Sequence, residues 1–202
     1  MTGAEQAILV ARPDFAAIAR WIAPGKRVLD LGCGDGTLLD YLKQARSAHG
    51  YGIEIDDQKV AECVRNGVNV LQMNLESGLS AFQDGSFDYV ILSQTLQAVR
   101  HTENIMREML RVGREAFVSF PNFGHWSARL QVLLGRMPVS AALPYEWFDT
   151  PNVHLCTIRD FDELCEKLNV RVEERLVLHA GKSVAVMPNL LGSLAVYRCT
   201  SG

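Results

Sequence analysis

No Cys-x-x-Cys pair occurs in this 202-residue chain, and its five cysteines, Cys33, Cys63, Cys156, Cys165 and Cys199, are scattered. That spacing argues against a zinc site or a disulfide framework and implies reduced thiols. No apolar run reaches the roughly 18 residues of a membrane-spanning helix. The segment from Met1 to Glu5 lacks the basic start and apolar core of a signal peptide, so a soluble, cytoplasmic protein is expected. A strong charge of one sign is missing too, the net charge being −3. Arg100, Arg107, Arg111 and Arg114 interleave with Glu103 and Glu108 at helical spacing, the pattern of a solvated helix face rather than of a nucleic-acid surface. Ser119 lies in an apolar run followed by Phe-Pro and not in a Gly-x-Ser-x-Gly elbow, so no acyl-transfer nucleophile is expected there. Without an internal repeat, low-complexity tract or linker, residues 1–202 are expected to form one domain.

What is present is alternation. A helix is expected from Asp14, as its cap, to Ile22, because Phe15, Ile18 and Ile22 share one face. Short apolar strands are expected at Arg27–Leu31, Gly50–Ile55, Val68–Met73, Phe87–Leu92 and Ala116–Phe120, separated by helices that include Thr102–Val112. Strands without a polar face, alternating with helices, indicate an α/β protein with a mostly parallel sheet covered on both faces. The stretch 121–156 breaks the pattern. It holds two of the three tryptophans and four of the seven prolines, and is expected to be a long irregular lid or docking insertion with one short helix near Arg129–Leu134. Beyond it, a helix started by Thr157-Ile158-Arg159-Asp160 and an antiparallel pair of strands, Val170–Leu178 and Leu194–Cys199, are expected.

The chemistry lies in Val28-Leu29-Asp30-Leu31-Gly32-Cys33-Gly34-Asp35-Gly36. The dinucleotide fingerprint is Gly-x-Gly-x-x-Gly, whose amides approach a pyrophosphate. Here the spacing is Gly-x-Gly-x-Gly, with acidic residues at Asp30 and Asp35. Those carboxylates would repel a pyrophosphate, whereas an ammonium or a sulfonium beside them is favoured. Asp35 has an equally good alternative role in capping the helix that follows. Glu54, about 20 residues beyond the glycines, is placed to accept hydrogen bonds from both hydroxyls of a ribose.

These motifs resemble those of the class I S-adenosylmethionine-dependent methyltransferases over essentially the whole chain. Asp30 to Gly36 matches their first motif and Gly52-Ile53-Glu54-Ile55 their second, and Asp84-Gly85-Ser86-Phe87-Asp88 before an apolar strand is also typical. The resemblance implies a Rossmann-like class I methyltransferase fold, with seven strands and an antiparallel C-terminal pair. It also implies S-adenosylmethionine or S-adenosylhomocysteine held by Asp30, Gly32, Cys33, Gly34, Asp35, Glu54, Ile55, Asn74, Leu75, Ser93 and Gln94. Asn74 departs from the acidic residue usual at the adenine. Leu96–Arg100, Phe120–Trp126, Gly135–Ser140, Thr150–His154 and Pro188–Gly192 narrow the resemblance to the MetW family of methionine-biosynthesis proteins. That family implies an accessory role beside homoserine O-acyltransferase (MetX), with contact through 121–156, no nucleic acid and no membrane. It does not imply a defined methyl acceptor. An active methyltransferase on a small molecule is the alternative, for which His125, Tyr145 and His154 are the candidate bases, though His154 is expected to bond backbone.

Overall fold

The computed structural model describes residues 10–140 and 143–202; the segment read for a leader, residues 1–5, lies outside them. The chain runs α1 (Pro13–Trp21), β1 (Arg27–Leu31), α2 (Thr37–Arg46), β2 (His49–Glu54), α3 (Asp57–Arg65), β3 (Asn69–Gln72), β4 (Phe87–Ser93), α4 (Thr102–Val112) and β5 (Gly113–Pro121). After the insertion, which contains α5 (Trp126–Leu133), come α6 (Ile158–Lys167), β6 (Val170–His179), β7 (Lys182–Ser183), α7 (Pro188–Leu191) and β8 (Leu194–Ser201).

The strands form one sheet in the order β3-β2-β1-β4-β5-β8-β6-β7. The first five are mutually parallel, and β8 enters antiparallel between β5 and β6. Chain order reverses at β1, which lies between β2 and β4; in open parallel sheets this is where a crevice opens beyond the strand ends. Successive residues alternate between faces. Leu29, Leu31, Val90 and Leu92 pack with Ile105, Met106, Met109 and Phe161 under α4 and α6. Val28, Tyr89, Ile91 and Phe117 pack with Phe15, Ile18, Leu38 and Leu42 under α1 and α2.

Three elements differ from the sequence expectation. The sheet has an eighth strand, β7, two residues long and joined to β6 through Ala180 and Gly181, both with positive φ. Alanine at such a position hides the hairpin, since glycine or asparagine is its usual signal. The helix in the insertion begins at Trp126 rather than near Arg129, because His125 serves as its N-cap and accepts from Ser127 N–H. Asp14 does not cap α1. Proline occupies the first turn, where its missing N–H costs nothing, and the N-cap is Arg12. The Asp14 side chain turns into the protein and is fully buried. Among the described residues no helix is long and apolar enough to cross a membrane.

Candidate ligand site

The ends of β1 and β2 are tied together by the glycine turn. Gly32 and Cys33 donate their amides to the Ile53 carbonyl at 2.8 and 3.0 Å. Gly34 N–H donates to Glu54 Oε2 at 2.9 Å, and Ile55 and Asp56 N–H donate to Oε1 at 2.8 and 3.1 Å. The Glu54 carboxylate is thereby fixed at the mouth of a cavity of about 320 Å³. Gly32, Ile55, Asn74, Leu75 and Glu54 all line it, so five residues singled out in the sequence converge there; Met73, Glu76, Thr95, Ala98 and Val99 supply more of the wall.

Two glycines are required by geometry. Gly34 has φ +57° and open space where a side chain would begin, leaving room above the Glu54 carboxylate. Gly32 has φ +71°, and a Cβ there would sit 2.7 Å from Thr95 Cγ2. Gly32→Ala therefore combines a left-handed backbone with a clash. It is expected to lower stability by about 1–3 kcal/mol in denaturant titration. Thr95→Ala in the same chain should restore only part of that loss, because the backbone strain stays.

Alternation places a second group of polar residues on the α1 face. Asp30 follows Val28, Ser93 follows Ile91 and Ser119 follows Phe117, each two positions on, at the ends of three adjacent strands. Above them Arg12 grips Asp14 with Nε and Nη2 at 3.1 and 2.9 Å and donates from Nη2 to Ser93 Oγ at 2.6 Å. Asp14 also accepts from Ser93 Oγ, Ser119 Oγ and Gln94 Nε2 at 2.6, 3.0 and 3.3 Å. The guanidinium lies over the Phe15 ring at 4.2 Å. Its Nη1 makes no hydrogen bond among the described residues. Burial alone would raise the Asp14 pKa, but Arg12, Ser93 and Ser119 together hold it below its ordinary range.

Asp30 has the opposite balance. Burial pushes its carboxyl up to about 7, Arg12 pulls it back, and Asp14 and Glu54 push it further up. Its Oδ1 is buried without a partner among the described residues. A buried acceptor left unpaired costs about 1–3 kcal/mol, more if charged, so this atom is a place for a donor, above all a cationic one.

The other expected residues are distributed unevenly. Cys33 is buried 3.8 Å from the Cys63 sulfur, and burial raises its thiol pKa far above the usual range, so it is a packing residue of the turn. Asp35 Oδ1 accepts from Thr37 N–H and Oγ1 at 3.0 and 2.6 Å, which is helix-start duty, and Asp35 does not line the cavity. Ser93 and Gln94 belong to the Arg12–Asp14 group, Gln94 with φ +51°. Asn74 Oδ1 accepts from Glu76 N–H at 2.9 Å; a carboxamide oxygen has a second lone pair for a ligand donor.

None of the three candidate bases lines this cavity. His125 is buried and stacked on His179 at 4.9 Å; burial first, then His179, lowers its pKa and keeps it neutral. His154 Nε2 lies 3.0 Å from the Arg100 carbonyl, a bond to backbone, as expected. Tyr145 is half-exposed in the insertion.

Arg12, Asp14, Ser119 and Thr95 are absent from the sequence-derived set. A signal existed for Asp14, which precedes Ile18 by four positions and so lies on the buried face of α1; a carboxylate there requires a partner. Nothing in the sequence pairs it with residues 93 and 119, which the sheet order alone brings near. Among the described residues no group of three or more His, Cys, Asp or Glu is placed to hold a metal ion.

The family described as methionine biosynthesis protein MetW matches residues 12–199. A bifunctional methionine biosynthesis protein MetXA/MetW from Rhodopirellula baltica is 36% identical over 186 residues, 87% of this chain and 30% of that protein. A ubiquinone biosynthesis O-methyltransferase from Hahella chejuensis is 31% identical over 157 residues, 71% of this chain and 65% of the enzyme. The chain thus spans under a third of the first relative and about two thirds of the second. Among solved structures, an S-adenosylmethionine-dependent methyltransferase from Archaeoglobus fulgidus superposes with TM-score 0.70 at 15% identity, covering 95% of this chain and 92% of that one. Magnesium protoporphyrin IX methyltransferase from Synechocystis with bound S-adenosylhomocysteine gives TM-score 0.67 at 16% identity, covering 100% and 89%. At those identities the likeness establishes the fold, a Rossmann-like methyltransferase fold.

Proposed function

The chain belongs to the methionine biosynthesis protein MetW family, and from that premise we propose that it binds S-adenosylmethionine or S-adenosylhomocysteine and acts as an accessory partner of homoserine O-acyltransferase. One observation carries the ligand half: Glu54, at the end of β2, stands in the cavity wall with Gly34 N–H on its carboxylate, and Asp30, on the adjacent strand β1, lies near enough for Glu54 to help raise its pKa. In this reading Glu54 accepts from the ribose hydroxyls, Asn74 and Leu75 border the adenine, and Gly32 and Gly34 leave room for the chain that follows. The unpaired Asp30 oxygen receives the ammonium, and Arg12 Nη1 receives the carboxylate. Bound S-adenosylmethionine would supply a methyl group activated on a sulfonium. The residues of this chain hold and orient that ligand, and none of His125, Tyr145 and His154 stands at the cavity to take a proton from an acceptor. That favours an accessory over a catalytic role.

The partner half is supported by the Rhodopirellula relative, which carries both names in one chain. It is supported also by the insertion, in which Trp126, Leu130, Leu133, Leu134, Trp147 and Phe148 are all exposed. Apolar side chains concentrated in this way mark docking surfaces. A cytoplasmic setting follows from a role in amino-acid biosynthesis.

The test is calorimetric titration with S-adenosylhomocysteine, with and without the acyltransferase, together with co-purification of the two proteins. The ligand should bind, Glu54→Gln should weaken it at least about tenfold, and the pair Trp147→Asp and Phe148→Asp should abolish co-purification without affecting ligand binding. An acyltransferase that neither binds nor changes in rate or stability ends the accessory reading. The alternative, an active methyltransferase, is favoured by the similarity to the ubiquinone O-methyltransferase. It requires that labelled S-adenosylmethionine and cell extract yield a labelled product.

A further inference from the structure

A larger cavity, of about 580 Å³, lies beside the first, on the other side of the 3₁₀ turn Leu96–Ala98. Cavities of this size accommodate small molecules. Its shape is set by hydrogen bonds and not by a loose loop. Gln97 O accepts from Val153 and His154 N–H at 2.8 and 3.0 Å, and His154 Nε2 lies 3.0 Å from Arg100 O. These pin the last limb of the insertion against the turn. Phe123 N–H donates to Cys156 O at 3.0 Å and anchors the same limb to the end of β5.

The walls are apolar, from Leu96, Leu155, Cys156 and Leu164. Two groups of opposite charge face the same space without pairing with each other. Arg100 makes no side-chain hydrogen bond or ion pair among the described residues; only its backbone is engaged, the N–H by Glu76 and the carbonyl by His154. Asp160 uses Oδ2 for Thr157 N–H and Oγ1 in the α6 cap, and Oδ1 has no partner among the described residues. The remaining carboxylate of the lining, Glu103, is neutralised by Lys167. A simple anion suited to Arg100 would meet Asp160, and a simple cation suited to Asp160 would meet Arg100. A zwitterion with an apolar body satisfies both charges and the walls.

We propose that this cavity is a second ligand site that takes a free α-amino acid with an apolar side chain, its carboxylate toward Arg100 and its ammonium toward Asp160. The inference goes beyond the nucleoside cleft and does not rest on it. The experiment is calorimetric titration of the full chain with L-leucine and L-methionine, and with the two halves of leucine, 4-methylpentanoate and 3-methylbutylamine. At least one amino acid should bind, and each half should bind at least about tenfold more weakly than leucine, having lost one charge-assisted contact. Arg100→Gln should bring leucine down to the level of 3-methylbutylamine. Asp160→Asn, which retains an oxygen for the Thr157 cap, should bring it down to that of 4-methylpentanoate. Glu54→Gln should leave amino-acid binding unchanged while weakening S-adenosylhomocysteine, which separates the two sites. The proposal is overturned if neither amino acid binds the folded protein at millimolar concentration. It is overturned equally if the halves bind as well as leucine, or if Glu54→Gln removes amino-acid binding.

Discussion

Asp30→Asn is expected to make the ligand-free protein more stable above pH 7 and, at the same time, to remove most of its affinity for S-adenosylhomocysteine. The Asp30 carboxyl is raised from 3.8 to about 7, first by burial. The folded protein therefore holds this proton more tightly than the unfolded chain does. The resulting stabilisation is complete below about pH 4 and is lost as pH rises through about 7. At pH 8 the ionised, buried carboxylate costs about 4 kcal/mol relative to a group with no such shift. Asparagine has nearly the same shape and no charge to bury. Denaturant titrations at pH 5 and pH 8 should show the wild type weakening between them and the variant nearly level. Ligand binding should follow the opposite logic. An ammonium beside Asp30 stabilises the ionised form, so wild-type affinity for S-adenosylhomocysteine should fall as pH drops below 7, by up to about tenfold per unit. Asp30→Asn should flatten that dependence and bind at least about tenfold more weakly at pH 8. A variant that loses stability at pH 8 while retaining ligand would sink this account of the residue.

The contrast between Asp30 and its neighbours shows what could be read from the sequence. The glycine turn, Asp30 and Glu54 were legible because a strand end, three left-handed glycines and a carboxylate one strand away are local patterns, and local patterns survive whatever the tertiary structure does. The parallel sheet and its antiparallel close were legible from apolar runs in alternation with helices. Asp35 shows the limit of such patterns: the Thr37 amide and hydroxyl both reach its carboxylate, and glycine spacing alone does not distinguish that helix-start role from a ligand contact. The Arg12–Asp14–Ser93–Ser119 group was not legible. Asp14 and Ser119 are 105 positions apart, and the members meet only because β4 and β5 are neighbours in the sheet and α1 crosses above their ends. Capping is the role that fits most acidic residues at a helix start, Asp14 included. It gives way here because Arg12 offers a fully charged, two-point partner on the buried side, which a helix amide cannot match.

That group makes a second prediction, with the opposite sign in pH to the one for Asp30. Asp14 is fully buried, and its ionised form is retained because Arg12 is bound to it at two points. In the wild type its lowered pKa contributes stability that is present above about pH 4 and lost as pH falls through the folded value. Arg12→Leu removes the cation and leaves a carboxylate facing two serine hydroxyls. Asp14 is buried but Arg12 is 35% exposed, so breaking the pair costs less than losing a fully buried one, about 1–3 kcal/mol at neutral pH. Burial then acts on Asp14 unopposed, so its pKa should rise, and the variant should lose stability as pH increases rather than as it decreases. Adding Asp14→Asn removes the stranded charge and should restore most of the neutral-pH stability, since the amide oxygen can still accept from Ser93 and Ser119. Ligand recognition should not return with it. If Arg12 Nη1 receives the ligand carboxylate, the wild type should bind S-adenosylhomocysteine at least about tenfold more tightly than 5′-methylthioadenosine, which lacks the amino-acid end. The stable double variant should have lost most of that preference. A double variant that folds as well as the wild type and still discriminates between the two nucleosides would confine Arg12 to holding α1 on the sheet.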